Sequence, residues 1–363
     1  MHGRQGVATA RLDGLPPIRY ICYQHPFPLP IRPTKRYYKD GGNVMSQKVL
    51  VTGTSVRPEL LQPLRDRGWS VDNPPHLLSE GELKKALSEA DAYLLGGDER
   101  AGRDAIAGAS NLKIIAFLGM GYEAYVDSAA ALEHGVVVTN TPGTLSNAVA
   151  ELTIGHLLSG VRKIHYYAHL YETGQSGSEE KQRDIAALHH GIVGMGGIGT
   201  RVAEILRRGF DARVSYYSRT RKPELEESIG IEYLPLDELT GVVDTLIVLT
   251  PGNEETPGLI GERQLAGARP GLVLVNTARP EIVDADALND ALDSGRVSYA
   301  AFDDFYKADG ASRQELASKI PSRLLVTGHI GSLTHDARDA MGILAVKSIV
   351  SMLETGTPLH RVV

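Results

Sequence analysis

The stretch Gly191-Ile-Val-Gly194-Met-Gly196-Gly197-Ile198-Gly199 decides how the chain is read. An apolar strand closes at Val193, three glycines follow at G-x-G-x-x-G spacing, and an amphipathic run from Thr200 to Arg208 comes next. Each glycine has a separate physical task. Gly194 allows a tight turn, Gly196 lets a pyrophosphate approach the backbone, and Gly199 lets helix and strand pack closely. The phosphates then face a helix N-terminus, where unsatisfied N–H groups and the helix dipole favour an anion. G-x-G-x-x-G alone is a weak signal. A strand before it, a helix after it and a second strand over Ala212 to Tyr217 make it a dinucleotide site.

The end of that second strand distinguishes the two nicotinamide dinucleotides. A site for NAD carries an acidic residue there for the ribose 2′-hydroxyl. Here Val214-Ser-Tyr-Tyr217 is followed by Ser218-Arg219-Thr220-Arg221-Lys222, and no carboxylate occurs before Glu224. Guanidinium and hydroxyl groups bind a 2′-phosphate that a carboxylate would repel. The expectation is NADP(H) in preference to NAD(H). The alternative is a solvated basic cluster on a loop.

Composition narrows the class. The chain has 363 residues, 23% charged and 42% hydrophobic, which suits a globular protein of two domains. A net charge of −6 argues against a general nucleic-acid partner. Cys22 is the only cysteine, which excludes internal disulfides, thiol pairs and Cys-rich zinc sites, and no metal is expected. No apolar run approaches the ~20 residues of a membrane span, so no membrane partner is expected either. A cytoplasmic location is the expectation.

Residues 1–44 differ from the rest. They carry seven basic residues against two acidic ones, a net +5 that leaves −11 for the remainder. Prolines at 16, 17, 26, 28, 30 and 33 prevent a regular helix or central strand. The segment is Arg-rich and acid-poor, but it lacks the apolar core of a signal peptide and is too proline-rich for an amphipathic targeting helix. It is read as a disordered extension, with a clean start at Met45.

From Lys48 onward short apolar runs alternate with helical ones, which predicts a mostly parallel sheet. Strands are expected over Lys48–Thr52, Ala92–Leu95, Leu112–Phe117 and Val136–Thr139, then a helix from about Asn147 to Tyr171. The glycine-rich unit opens a second series with six strands, at about 190–194, 212–217, 244–249, 272–276, 298–302 and 324–327. Six strands suffice for one dinucleotide-binding sheet. The last helix, Ala337 to Glu354, comes too late to belong to it and is free to return to the first domain. Gly119-Met120-Gly121-Tyr-Glu-Ala124 also fits the glycine pattern, but the next helix begins only at Asp127, so its glycines do not sit at a helix N-terminus.

Asn140-Thr-Pro-Gly143, Val149-Ala-Glu151, the Gly194 turn, Asn276-Thr277-Ala278-Arg279, Val283-Asp284 and Gly328-His329-Ile-Gly331-Ser332 occur in that order. With these motifs the chain resembles the D-isomer-specific 2-hydroxyacid dehydrogenases over residues 48 to about 357. The resemblance implies an α/β fold in which a Rossmann-type doubly wound parallel sheet domain is inserted into a flavodoxin-like α/β substrate domain. The expected boundaries are 45–146 with 333–363 for the substrate domain and 147–332 for the dinucleotide domain. A homodimer through the cofactor domains is also implied. Leu152, Ile154, Leu157, Leu158 and Val161 are candidate contacts, although the same pattern fits a helix packed on its own sheet.

Reducing a 2-keto acid delivers hydride to C2 and a proton to its oxygen. The carboxylate and the developing alkoxide need a cation, and the oxygen needs an acid. Arg279 follows a strand and can bind the carboxylate and polarise the carbonyl. His329 is then the acid in reduction and the base in oxidation. The resemblance implies backbone contacts to substrate at Gly119 and Met120 and at Gly96 and Gly97. It also implies that Asp303 contacts the nicotinamide carboxamide, with Thr250, Pro251, Thr277, Ala278 and Gly331 around the cofactor.

One departure bears on the acid. The glutamate that pairs with the histidine in the family falls at Ala308 in the stretch Asp303-Asp-Phe-Tyr-Lys-Ala308-Asp309. Asp309, one residue on, is the candidate substitute if the loop shifts; the alternative is a solvent-exposed turn residue before Gly310. Pro280, where a glycine is usual, restricts Arg279 to extended backbone. The leading expectation is a reductase of a small 2-keto acid such as glyoxylate or hydroxypyruvate. The alternatives are a nucleotide-sensing protein with weak or lost catalysis, and a dehydrogenase of another oxyanion.

Overall fold

Strands covered on both faces read as unbroken apolar runs, and two sets of such runs build this molecule. A computed structural model describes residues 46–53, 56–177, 181–307 and 310–363. The segment 1–44 and the pair Ala308 and Asp309 lie outside the described residues. The first sheet contains β1 (Lys48–Thr52), β2 (Ser70–Asp72), β3 (Ala92–Leu95), β4 (Ile114–Phe117) and β5 (Val137–Thr139). Its order is β2-β1-β3-β4-β5 and every pairing is parallel. This is the flavodoxin-like order. β3 and β4 are buried at every residue.

The second sheet contains β6 (His189–Val193), β7 (Arg213–Tyr217), β8 (Glu232–Tyr233), β9 (Thr245–Val248), β10 (Leu272–Asn276), β11 (Val297–Asp303) and β12 (Leu324–Thr327). Its order, β12-β11-β10-β9-β6-β7-β8, is parallel throughout. The chain leaves β6 in one direction and returns to β9 on its other side. A crevice opens at the carboxyl ends of the strands at that reversal. The sheet has seven strands where six were expected. The extra one, β8, is a two-residue edge strand too short to show alternation. β2 was missed for the same reason.

The helix after the glycine turn runs from Gly197 to Phe210 and buries Gly199, Val202, Ala203 and Leu206 on one face. Burying Val202 and Leu206 contributes about 1.5–3 kcal/mol each. The expected single helix from Asn147 to Tyr171 is two, Ser146–Arg162 and Ile164–Glu172. Lys163 separates them in a left-handed conformation, φ 49°. Ile154, Leu157 and Val161 pack with Ile192, Val273 and Val275 of the second sheet, so the helix's own sheet accounts for their apolar character. The last helix, His335–Thr355, packs on the first sheet, with Met341, Ala345, Val346 and Ile349 against Val49, Val51, Leu94 and Ile114.

Candidate active site

The carboxyl ends of both sheets face one cleft of about 1550 Å³. The glycine turn forms part of its wall. Gly194 holds φ +106°, and a Cβ there would lie 2.5 Å from the Thr250 nitrogen. A Cβ on Gly199 would lie 2.1 Å from the Gly194 carbonyl, so the third glycine serves packing and does not line the cleft. Gly196 caps the Gly197 helix, and a Cβ built there meets nothing within 4 Å. The turn therefore offers backbone and open space at a helix N-terminus, which fits a dinucleotide pyrophosphate. Gly197, Ile198, Thr250, Pro251, Thr277 and Ala278 line the same cleft. The Thr277 hydroxyl is turned inward to Thr153 (2.7 Å).

Beyond β7, Ser218, Arg219, Thr220 and Lys222 line the cleft. Arg221 does not. Its guanidinium is held by both oxygens of Glu226 (2.8 and 2.7 Å), which it keeps below the usual carboxylate range. Of these two adjacent cations Lys222 lines the cleft and Arg221 does not, because Glu226 holds the Arg221 guanidinium. Arg219 reaches Glu255 across the surface (2.9 Å).

Arg279 follows β10 with φ −130° and ψ 136°, the extended geometry that Pro280 imposes. The Asn276 side chain clamps this turn. Its Nδ2 donates to the Arg279 carbonyl (2.9 Å), and its Oδ1 accepts from the Ala278 N–H (3.0 Å). The Arg279 side chain passes two glycines, its aliphatic stem at Gly252 and its guanidinium at Gly121. A Cβ on Gly121 would sit 2.8 Å from its Nη2, and one on Gly252 would sit 2.7 Å from its Cγ.

His329 follows β12 and lines the cleft, half-exposed, in the left-handed region at φ 58°. Asp303 builds the loop that carries it. Asp303 Oδ1 accepts from the Thr327 hydroxyl (2.7 Å) and the Ile330 N–H (2.8 Å), and Oδ2 accepts from the Gly331 N–H (2.7 Å). Thr327 in turn meets Nε2 of buried His156 (3.1 Å). Burial pushes the His156 imidazole down, and because the Thr327 hydroxyl gives its proton to Asp303, the ring's Nε2 is the donor to Thr327. Asp303 also lines the cleft. Asp304, which the sequence did not single out, places Oδ2 3.8 Å from His329 Nδ1.

Gly96, Gly97, Gly119 and Met120 come from the first sheet and line the opposite wall. The Gly119 N–H is already given to the Thr141 hydroxyl (2.9 Å) and the Gly96 N–H to the Thr52 carbonyl (3.1 Å). Those two amides serve the loops rather than point to a ligand. The Gly119 segment continues into a short 3₁₀ turn, Tyr122–Ala124, as expected for glycines away from an α-helix N-terminus. Sequence reading passed over two charged side chains with buried polar atoms in this wall, Glu99 and the half-buried Arg338. Glu99 Oε2 and Arg338 Nε each lack a hydrogen-bond partner among the described residues.

Residues 154–331 match the family model described as "D-isomer specific 2-hydroxyacid dehydrogenase, NAD binding domain". The chain is 33% identical over 296 residues to a glyoxylate reductase of Thermococcus litoralis, covering 79% of this chain and 88% of the relative. It is 33% identical over 332 residues to a glyoxylate reductase of Aeropyrum pernix, with 87% and 95% covered. Among solved structures, the TT0316 protein of Thermus thermophilus superposes with a TM-score of 0.77 at 33% identity, covering 87% of this chain and all of that one. A glyoxylate reductase from Paecilomyes thermophila superposes with a TM-score of 0.77 at 28% identity, with 87% and 98% covered. The nucleotide turn, the cleft and these likenesses agree: the chain belongs to the D-isomer-specific 2-hydroxyacid dehydrogenases, nicotinamide-dependent oxidoreductases of CH–OH groups.

Proposed function

We propose that the protein is an NADP(H)-dependent reductase of a small 2-keto acid, glyoxylate or hydroxypyruvate, forming the D-2-hydroxy acid. The observation that carries the reading is the convergence of Arg279 and His329 on the cleft walled by the Gly194 turn. The relatives named glyoxylate reductase support the substrate class. The 45–146/333–363 and 147–332 domain division, a homodimer and a cytoplasmic location belong to the same proposal.

The bound nicotinamide supplies the hydride. Arg279 binds the substrate carboxylate through its planar fork and leaves one edge near the carbonyl oxygen. Gly121 lies against that fork and Gly252 against the aliphatic stem that carries it. Negative charge that develops on the carbonyl oxygen during reduction would be stabilised by the positioned guanidinium. His329 gives its proton to that oxygen in reduction and removes it in oxidation. Ser218, Arg219, Thr220 and Lys222 form the proposed 2′-phosphate site, which favours NADP(H).

Steady-state oxidation of NADPH and NADH with glyoxylate, hydroxypyruvate and pyruvate tests the reading. It expects turnover with a higher kcat/KM for NADPH. An NADH preference removes the 2′-phosphate assignment. Tight dinucleotide binding without turnover on a broad keto-acid panel favours the nucleotide-sensing alternative.

A further inference from the structure

We propose that Asp304 is the carboxylate that positions His329, in place of the glutamate that Ala308 replaces. The proposal rests on reading His329 as the proton donor.

β11 and β12 run in parallel register with Asp303 opposite Thr327, so the residues just past both strands leave the sheet side by side. The Asp304 N–H donates to the Thr327 carbonyl (3.0 Å), which fixes its backbone beside the His329 loop. Asp304 Oδ1 accepts from the Phe305 N–H (2.8 Å). Oδ2 is left to face His329 Nδ1 at 3.8 Å. That distance is within ion-pair range, and contacts of this kind tighten when a catalytic complex forms. His329 lines the cleft and Asp304 does not, so the carboxylate stands behind the ring. With Nδ1 turned to the carboxylate, Nε2 remains for the substrate oxygen.

The backbone gives a second, independent argument. Asp304 holds φ 118°, a region that suits glycine and disfavours any residue with a Cβ. A glycine there would relieve the strain. Retaining a side chain in a strained conformation beside a catalytic group points to use of that side chain. The other charged groups near the ring are committed elsewhere. Asp303 spends both oxygens on the loop, Arg279 lines the same cleft and donates from Nη1 to the Ala278 carbonyl (3.0 Å), and His156 is buried behind Thr327.

The test uses Asp304→Gly, Asp304→Asn, Asp304→Glu and Asp309→Asn in the full chain. Asp304→Gly is expected to melt no lower than the parent and to bind NADPH within about twofold of it, while kcat for keto-acid reduction falls roughly 10²-fold, the lower end of what an acid–base group contributes. Asp304→Glu restores part of the loss. In a His329→Gln background, Asp304→Asn costs nothing further. Parent-like kcat in Asp304→Gly and Asp304→Asn overturns the proposal, as does the loss appearing in Asp309→Asn alone.

A readout independent of turnover separates this proposal from the assigned reaction. In the nitrogen NMR spectrum the neutral His329 ring is expected to carry its proton on Nδ1 in the parent and on Nε2 in Asp304→Gly. If that switch occurs in a protein that reduces no keto acid, Asp304 keeps its role and the reaction assignment fails. A ring protonated on Nε2 in both overturns the positioning role whatever the turnover.

Discussion

The Arg279 guanidinium rests on the backbone of Gly121, so closely that a Cβ at position 121 would lie 2.8 Å from Nη2. The nearest obstacle to that Cβ is the far end of a side chain, not backbone. Gly121→Ala is therefore expected to fold as the parent does and to displace the guanidinium. We expect kcat/KM for the keto acid to fall at least tenfold with dinucleotide affinity unchanged. Arg279→Ala is expected to cost about 10²–10³-fold, the loss typical of removing one preorganised electrostatic donor. Steady-state kinetics and a thermal melt on both variants check this, and an undiminished kcat/KM in Gly121→Ala would contradict it.

Two glycines of the nucleotide turn should behave oppositely. Gly194→Ala must hold a Cβ at φ +106° against the Thr250 backbone, and it is expected to lose stability by about 1–3 kcal/mol or more. Gly196→Ala places its methyl in open cleft, so the melting temperature should hold while dinucleotide affinity falls. Denaturant melts and cofactor fluorescence titrations on the pair test this. Equal destabilisation of both would show that Gly196 also serves packing.

The 2′-phosphate assignment turns on Arg219 and its surface partner Glu255. Arg219→Ala is expected to weaken NADPH about 10- to 100-fold, one charge-assisted hydrogen bond, and to leave NADH alone. Glu255→Gln removes a competitor for the same guanidinium and should tighten NADPH slightly. Arg221→Ala should act on stability through Glu226 instead. Equal losses for NADPH and NADH in Arg219→Ala would mean the arginine does not read the phosphate.

His190 sets an acid limit on stability. It is fully buried, with Nε2–H donating to the Ile185 carbonyl (3.0 Å) and Nδ1 accepting from the Thr245 hydroxyl (2.7 Å). Burial pushes its imidazole down to about 4 from an ordinary 6.5. Below pH 6.5 the unfolded chain takes up a proton that the folded ring refuses. The stability present above 6.5 is therefore lost progressively as pH falls to about 4, by roughly 3 kcal/mol in all. Denaturant midpoints measured against pH should show this slope, and His190→Gln should make it shallower. An unchanged slope in that variant would place the acid limit elsewhere.

The legible parts of this molecule were those where one residue type has one physical use. Three glycines between a strand and a helix dictated the nucleotide turn, and Pro280 dictated extended backbone at Arg279. Short edge strands such as β2 and β8 carry too few residues to show a period. Lys163 breaks a helix with neither glycine nor proline to announce it. Spacing along the chain could not separate Arg221 from Lys222, because Glu226 captures one of them only after folding. Asp304 and His329 meet because β11 and β12 are neighbours, which depends on strand order and not on distance in sequence.

The most direct test of the central claim is a single turnover. Protein loaded with one equivalent of NADPH is mixed with excess glyoxylate or hydroxypyruvate, and nicotinamide absorbance is followed. The account predicts oxidation of the full equivalent in the parent, slowed roughly 10²–10⁴-fold in His329→Gln, the range for a general acid. Bound NADPH that stays reduced against both keto acids, or a His329→Gln rate equal to the parent's, would contradict it.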